Sequence, residues 1–208
     1  QEMWEMFATL GFGQQPKIGF PGAVAGRMRN FKTWKPIEQA TMSYGHGLSV
    51  SLLQIARAYM IFARKGDMIP LTFQQSTAMP VGTRVVSEKT AMQMREMLES
   101  VTQPGGTATK ARVPGYRVAG KTGTAHKIEH GKYVNKYIGD FVGFAPVSNP
   151  RIIVAVMIDE PSGGIYYGGD VAGPVFASIV ANVLRSMNVV PDSTVVNIIP
   201  EPSVQESL

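Results

Sequence analysis

The segment GYRVAGKTGTAHK, residues 115–127, fits two unrelated kinds of structure. Its first eight residues satisfy the G-x-x-x-x-G-K-[ST] consensus of phosphate-binding loops. Its later part, KTGT at 121–124, instead has the alternation of an edge strand that lies beside a ligand. Both interpretations use Lys121 and Thr122, so the flanking sequence must decide between loop and strand.

The flanking sequence disfavours the phosphate-binding loop. Such a loop follows a buried strand and opens a helix, whose free N–H groups hold the phosphate. PGGTATKARVP, residues 104–114, contains no buried strand, and GTAHKIEHGK, residues 123–132, contains two glycines and no helical period. Asp159 and Glu160 follow the apolar run IIVAVMI and resemble the acidic end of a nucleotide-binding strand. They are the second feature that supports a nucleotide enzyme.

Three strands are predicted at residues 116–126, 133–146 and 151–159. The links between them are too short for a parallel crossover, which predicts an antiparallel meander. The run at 152–158 is continuously apolar, which is typical of a strand buried on both faces.

Apolar residues at helical spacing predict the helices of the chain. We expect Arg95 and Glu99 to form an i,i+4 ion pair on one of them. The fold class is therefore mixed α+β, with helices packed on an antiparallel sheet. The predicted helices lie at residues 1–10, 36–42, 49–66, 87 to about 103, and 170–187.

The composition limits the possible chemistry. The chain has 208 residues, a net charge of +5 and no cysteine, which excludes disulfides, thiolate metal ligands and cysteine nucleophiles. Basic residues form no stripe interleaved with aromatic residues, so nucleic-acid binding is not predicted. The three histidines are too scattered for a metal motif, and no cofactor is implied.

As a strand, the KTGT segment can bind an extended ligand. Thr122 and Thr124 would share one face, where two hydroxyls can hold a carboxylate, while Lys121 and Gly123 would take the other. Gly123 would let a substrate backbone approach closely, and the Thr124 N–H could stabilise an oxyanion. His126 has the parity of Thr124 and could line the same cleft. A polar edge strand without a catalytic role fits these residues equally well.

A longer series of motifs extends over nearly all residues up to about 190. The motifs, in chain order, are GFPGAVAG at 19–26, WKPIEQATMSYGHGLSVSLLQIARAY at 34–59, VTQPGGT at 101–107, AGKTGTA at 119–125, GFAPVSNPRIIVAVMIDEP at 143–161 and YYGG at 166–169. With these motifs, the chain resembles the C-terminal half of a class B penicillin-binding protein, of the cell-division penicillin-binding protein 3 type.

The resemblance implies a peptidoglycan D,D-transpeptidase with the penicillin-recognising, β-lactamase-like fold. A serine would attack a stem peptide, and an amine of a second stem peptide would complete the cross-link. The implied partners are stem peptides, the lipid-linked precursor and β-lactam antibiotics, which acylate the serine. The implied catalytic residues are Lys121 and Thr124. The implied substrate-binding residues are Thr122, Gly123 and Thr124 on the strand, and Tyr166, Tyr167, Gly168 and Gly169 in a loop at the rim of the cleft.

One departure from the family pattern concerns the nucleophile. The family serine lies in S-x-x-K, which this sequence lacks, and the S-x-N at 186–188 follows the KTG segment instead of preceding it. Because the chain begins at Gln1 within a helical pattern, we expect a fragment that is inactive alone and pairs with an upstream half. A β-lactam-sensing receptor domain of similar fold is the alternative.

The resemblance also predicts the setting of the full protein. It implies the periplasmic face of the bacterial inner membrane and membrane proteins of the division machinery as partners. We expect residues 1–190 to belong to the transpeptidase domain and residues 191–208 to form a loosely ordered tail.

Overall fold

The computed structural model describes residues 1–75 and 80–193, and its centre is a three-stranded antiparallel sheet in the order β3–β4–β5. A smaller antiparallel pair, β1–β2, lies apart from it. The predicted mixed α+β class is confirmed. The strands of this part of the chain are β1 Asp67–Met68, β2 Thr83–Arg84, β3 Ala119–Glu129, β4 Lys132–Ala145 and β5 Ile152–Asp159.

Helices cover both faces of the central sheet: α3 and α4 contact one face, and α6 contacts the other. Ser51 and Ser87 cap α3 and α4, since each hydroxyl accepts a hydrogen bond from a backbone N–H three residues later. None of the described helices is long and apolar enough to cross a membrane. The helices are α1 Glu2–Thr9, α2 Pro36–Met42, α3 Leu52–Ala63, α4 Glu88–Ser100, α5 Gly168–Val171 and α6 Gly173–Ser186.

The core consists of an apolar layer on each face of the sheet. On the α6 side, the Phe141 ring packs edge-on against Phe176 with centroids 4.7 Å apart. On the α3 and α4 side, Phe144 packs with Leu98. Both β4 phenylalanines are fully buried and point into opposite layers, as their odd and even positions require. The middle of β4 is therefore held from both sides.

The β3–β4 hairpin is closed by a two-residue turn at His130 and Gly131. Both residues have positive φ, 52° and 78°, which is the backbone of a type I′ turn. Such a turn matches the twist of paired strands and sets the register next to it. A bulge between His126 and Ile128 shifts that register farther along the strands. The shifted register places Thr122 opposite Phe141 and Thr124 opposite Gly139.

The prediction that 152–158 is buried on both faces is wrong. Within β5 only Val156 is buried, and Met157 is 46% exposed. β5 lies at the edge of the described sheet and has β4 as its one described neighbour, so its apolar run is covered unevenly.

The predicted helix 170–187 is divided into α5 and α6. Pro174 lies in the first turn of α6, where its missing N–H has no helical partner to lose. The division lets Gly168 and Gly169 begin a separate short helix beside the sheet.

The predicted ion pair between Arg95 and Glu99 is also wrong. Glu99 binds Arg117 through both carboxylate oxygens. Arg95 is buried, and its guanidinium donates to the carbonyls of Phe62 and Val147. A long-range role therefore replaces the local pair.

Residues 191–193 are attached to the domain. The Asp192 carboxylate accepts hydrogen bonds from the N–H groups of Arg117, at 2.7 Å, and Ser148, at 3.0 Å. The N–H groups of Asp192 and Ser193 both donate to the Gly115 carbonyl. The remainder of the predicted tail, residues 194–208, lies outside the described residues.

Candidate active site

The candidate site is built on β3, which has β4 as its one neighbour among the described strands. Its other edge therefore offers backbone groups to a ligand. Because opposed residues of an antiparallel pair share a face, the register assigns Thr122 and Thr124 to the α6 side. Lys121 lies opposite Val142 and Gly123 opposite Asp140, which assigns both to the α3 side.

The Thr124 hydroxyl is held by Gly168, the first residue of α5. The Gly168 N–H donates to Thr124 Oγ1 at 3.1 Å. A Cβ added to Gly168 would overlap the carbonyl oxygens of Asp140 and Gly123, so only glycine allows this approach. Because Oγ1 accepts from Gly168, the hydroxyl proton of Thr124 remains available to a ligand.

The Thr122 hydroxyl has two neighbours. It lies 3.1 Å from Thr107 Oγ1, and the Lys121 ammonium donates to the Thr122 carbonyl at 2.9 Å. The Lys121 Nζ is also 3.4 Å from Thr122 Oγ1. Lys121 thus reaches around the strand edge and places its positive charge beside the Thr122 hydroxyl.

Thr107 is a site residue that the sequence did not reveal. It ends the VTQPGGT segment and is separated from Thr122 by 15 positions. Its proximity depends on how the 310 turn Thr109–Ala111 contacts α5 and α6, which no local pattern predicts.

Stacked aromatic rings continue the Thr124 face beyond the hydroxyls. His126 lies 4.4 Å from the Tyr137 ring, and Tyr137 stacks on Tyr166 at 3.7 Å with 10° between planes. Tyr167 packs on Tyr166 at 4.8 Å and is exposed. The rim residues Tyr166 and Tyr167 are thus joined to the hairpin, and His126 lies on the same face as Thr124.

On the opposite face, the Asp140 side chain lies directly over Gly123. A Cβ added to Gly123 would be 2.5–2.8 Å from the Asp140 carboxylate, so glycine makes room for it. Burial raises the pKa of Asp140, and the positive charge of Lys121 opposes that rise. Asp140 is the second site residue that sequence reasoning missed.

The structure contradicts the nucleotide-binding interpretation. Gly120, Lys121 and Thr122 lie inside β3, and the chain continues as strand to Glu129. No helix N-terminus follows to hold a phosphate. Asp159 and Glu160 both bind Lys127, at 3.0 and 2.7 Å, in an exposed ion-pair group. In residues 1–75 and 80–193, no group of three metal-ligating side chains is present.

A family comparison agrees with this geometry. Residues 1–181 match the model of the penicillin binding protein transpeptidase domain. The chain belongs to this transpeptidase family. The match covers β3 with its KTG motif (the KTG strand), residues 166–169 (the rim loop) and most of α6.

Named relatives and solved structures place the chain within the family. It is 47% identical over 198 residues to the probable peptidoglycan D,D-transpeptidase PenA of Neisseria flavescens, covering 95% of this chain and 50% of that protein. It is 41% identical over 190 residues to the peptidoglycan D,D-transpeptidase FtsI of Escherichia coli K12, covering 91% and 32%. The chain therefore spans half or less of these relatives.

A solved structure shows the same fold. The apo transpeptidase domain of Burkholderia pseudomallei penicillin-binding protein 3 superposes with a TM-score of 0.87 at 55% identity. The superposition covers 93% of this chain and 59% of that one. The penicillin-recognising fold is therefore established, and the chain is a C-terminal portion of the domain.

Proposed function

We propose that this chain forms the KTG side of the active site of a septal peptidoglycan D,D-transpeptidase. The observation that carries the proposal is the pair of hydroxyls on the free edge of β3, Thr122 and Thr124. Gly168 donates to the Thr124 hydroxyl, Thr107 contacts the Thr122 hydroxyl, and the Lys121 ammonium lies beside Thr122. This arrangement suits a peptide that ends in a carboxylate.

The substrate would bind along the edge of β3 as an added strand. Main-chain hydrogen bonds would hold the stem peptide, and Gly123 would allow its backbone close to the strand. The hydroxyls of Thr122 and Thr124 would donate to the terminal carboxylate, and Lys121 would attract it electrostatically. These interactions would position the penultimate peptide bond for attack.

The reaction would be a two-step acyl transfer. A serine hydroxyl, supplied by residues outside this chain, would attack the penultimate D-alanine carbonyl and give up its proton to a base. The Thr124 N–H would stabilise the oxyanion, and the terminal D-alanine would leave as the amine. The amine of a second stem peptide would then attack the ester, form the cross-linking amide and release the serine. With a β-lactam, the reaction would stop after the first step and leave the serine acylated.

The remaining partners follow from the same proposal. We propose lipid-linked precursor and stem peptides as substrates, the upstream half of the same protein as the source of the serine, and division membrane proteins as neighbours. The site would face the periplasm at the inner membrane. FtsI, the named relative of E. coli, supports the assignment to septal synthesis.

The test is turnover of stem pentapeptides by the full-length gene product. We expect release of D-alanine together with cross-linked dimers, measured by liquid chromatography and mass spectrometry. A receptor domain would be acylated by penicillin without forming dimers. If the folded protein is not acylated and forms no dimers, the transpeptidase assignment is wrong.

A further inference from the structure

Asp140 is a half-buried carboxylate on a largely apolar face of the sheet. On this face β4 also presents Ile138 and Val142, and β5 presents Ala155 and Met157. Together with residues 48–52 and Ile55, they line a cavity of about 270 Å³ that includes Asp140. Within the described chain, no group donates a hydrogen bond to the Asp140 carboxylate. A half-buried carboxylate without a hydrogen-bond donor is partly desolvated, which disfavours its charged form.

Asp140 is also the acidic side chain closest in register to Lys121. Lys121 is opposed by Val142, and Asp140 is two residues earlier on the same face of β4. Such diagonal neighbours lie about 7 Å apart, which is within electrostatic range across a half-buried surface. Lys121 contacts the backbone and hydroxyl of Thr122, so Asp140 acts on it through space.

Few other titratable groups face Asp140. Tyr59 approaches from α3, and both burial and the Asp140 charge raise its pKa. Asp159 shares the face from β5 but is exposed and paired with Lys127. Residues 48–52 contribute serine hydroxyls and apolar side chains without charge. Lys121 is therefore the one cation in the described chain that lowers the pKa of Asp140.

We propose that Asp140 tunes how strongly the cleft attracts anionic ligands, because its carboxylate offsets the charge of Lys121. The proposal rests on the transpeptidase function, in which the cleft receives a carboxylate. When Asp140 is ionised, the KTG edge carries less net positive charge. When Asp140 is protonated or replaced by a neutral residue, Lys121 attracts an anionic ligand more strongly.

The test is the rate of acylation of the full-length gene product by a fluorescent penicillin that carries its free carboxylate. At pH 7.5 we expect Asp140→Asn to react about fivefold faster than the unchanged protein, as expected for one charge removed near 7–8 Å. The difference should shrink as the pH falls and Asp140 becomes protonated in the unchanged protein. It should also shrink in 1 M salt, which screens charges beyond about 3 Å.

Asp159→Asn is the matched control, since it removes the same charge from the same face at an exposed position. It should change the rate by less than about twofold. Asp140→Ser provides a second neutral variant if the asparagine variant fails to fold, and it should show the same pH dependence.

The outcomes separate this proposal from the function on which it rests. If the unchanged protein is acylated and the neutral variants react at the same rate or more slowly at every pH, Asp140 has no such role. If the folded, unchanged protein is never acylated, the transpeptidase assignment is wrong and this proposal is overturned with it.

Discussion

The backbone N–H of Gly168 donates a hydrogen bond to Thr124 Oγ1 at 3.1 Å, which joins the rim loop to the KTG strand. These residues are 44 positions apart in the sequence. The contact orients the hydroxyl that we propose binds the substrate carboxylate. A change in the position of the rim loop, residues 166–169, should therefore change the rate of acylation.

Gly168→Ala tests this link. The added methyl group would overlap the carbonyls of Asp140 and Gly123, so the rim loop must move away from β3. We expect penicillin acylation of the full-length protein to slow by about 10-fold or more, because a displaced donor no longer orients Thr124. Gly163→Ala is the control, since a Cβ there meets nothing within 4 Å. Equal rates for the two variants would contradict the link.

Thr124→Val removes the hydroxyl at nearly constant volume. We expect the acylation rate to fall by on the order of 100-fold, because the ligand carboxylate loses a donor and the Gly168 N–H loses its acceptor. Thr124→Ser should retain most of the rate. Thr83→Val, a hydroxyl removal on the exposed strand β2, should leave it unchanged. A fast Thr124→Val variant would show that this hydroxyl does not bind the ligand.

Arg95→Met should destabilise the domain by about 3 kcal/mol, measured by urea denaturation of the full-length protein. The guanidinium donates to the carbonyls of Phe62, Ala63 and Val147, which would lose a partner in a partly or fully buried region. Arg185→Met, on the exposed side of α6, should change stability by less than about 0.5 kcal/mol. Similar values for both variants would exclude a structural role for Arg95.

Asp140→Asn should stabilise the fold at neutral pH. Burial raises the folded-state pKa of Asp140, so the native protein binds this proton more tightly than the unfolded chain does. Below the ordinary pKa of aspartate, the carboxyl is protonated in both states and does not lower the free energy of unfolding. As the pH rises through the raised folded-state pKa, the carboxyl becomes charged in the native protein and this stability is lost. We expect a gain of about 1 kcal/mol at pH 7 that disappears toward pH 4.

The melting temperature between pH 4 and pH 8 provides the measurement, with Asp159→Asn as the control. If the melting temperature of Asp140→Asn exceeds that of the unchanged protein by the same amount at every pH, ionisation of Asp140 is not the cause. A loss at neutral pH would show that the carboxylate has a stabilising partner.

Local sequence patterns were sufficient to predict the central meander. Short links required antiparallel strands, but the register of β3 against β4 at the KTG motif also depends on a bulge between His126 and Ile128, which the sequence did not predict. The alternation of Lys121, Thr122 and Thr124 between the two faces follows from strand geometry alone. The KTG strand could therefore be placed without tertiary information.

Contacts between distant segments could not be predicted in this way. The rim loop approaches Thr124 only because α5 packs on β3 and β4, and the Thr107 hydroxyl arrives from a separate turn. The sequence pattern did not single out Asp140, since its partial burial depends on the packing of α3 against β4. Arg95 does not pair with Glu99, because its buried guanidinium lies against the carbonyl of Phe62 at the end of α3, while Arg117 binds Glu99 from a distant segment.

We propose that the KTG edge of β3 binds the carboxylate of a ligand that acylates a serine of the same protein. The most direct measurement is covalent labelling of the full-length gene product by a fluorescent penicillin, read by intact mass and peptide mapping. We predict one adduct on a serine outside residues 1–208 and a loss of labelling rate on the order of 100-fold in Lys121→Ala. An adduct within this chain, or an unchanged rate in Lys121→Ala, would contradict the account.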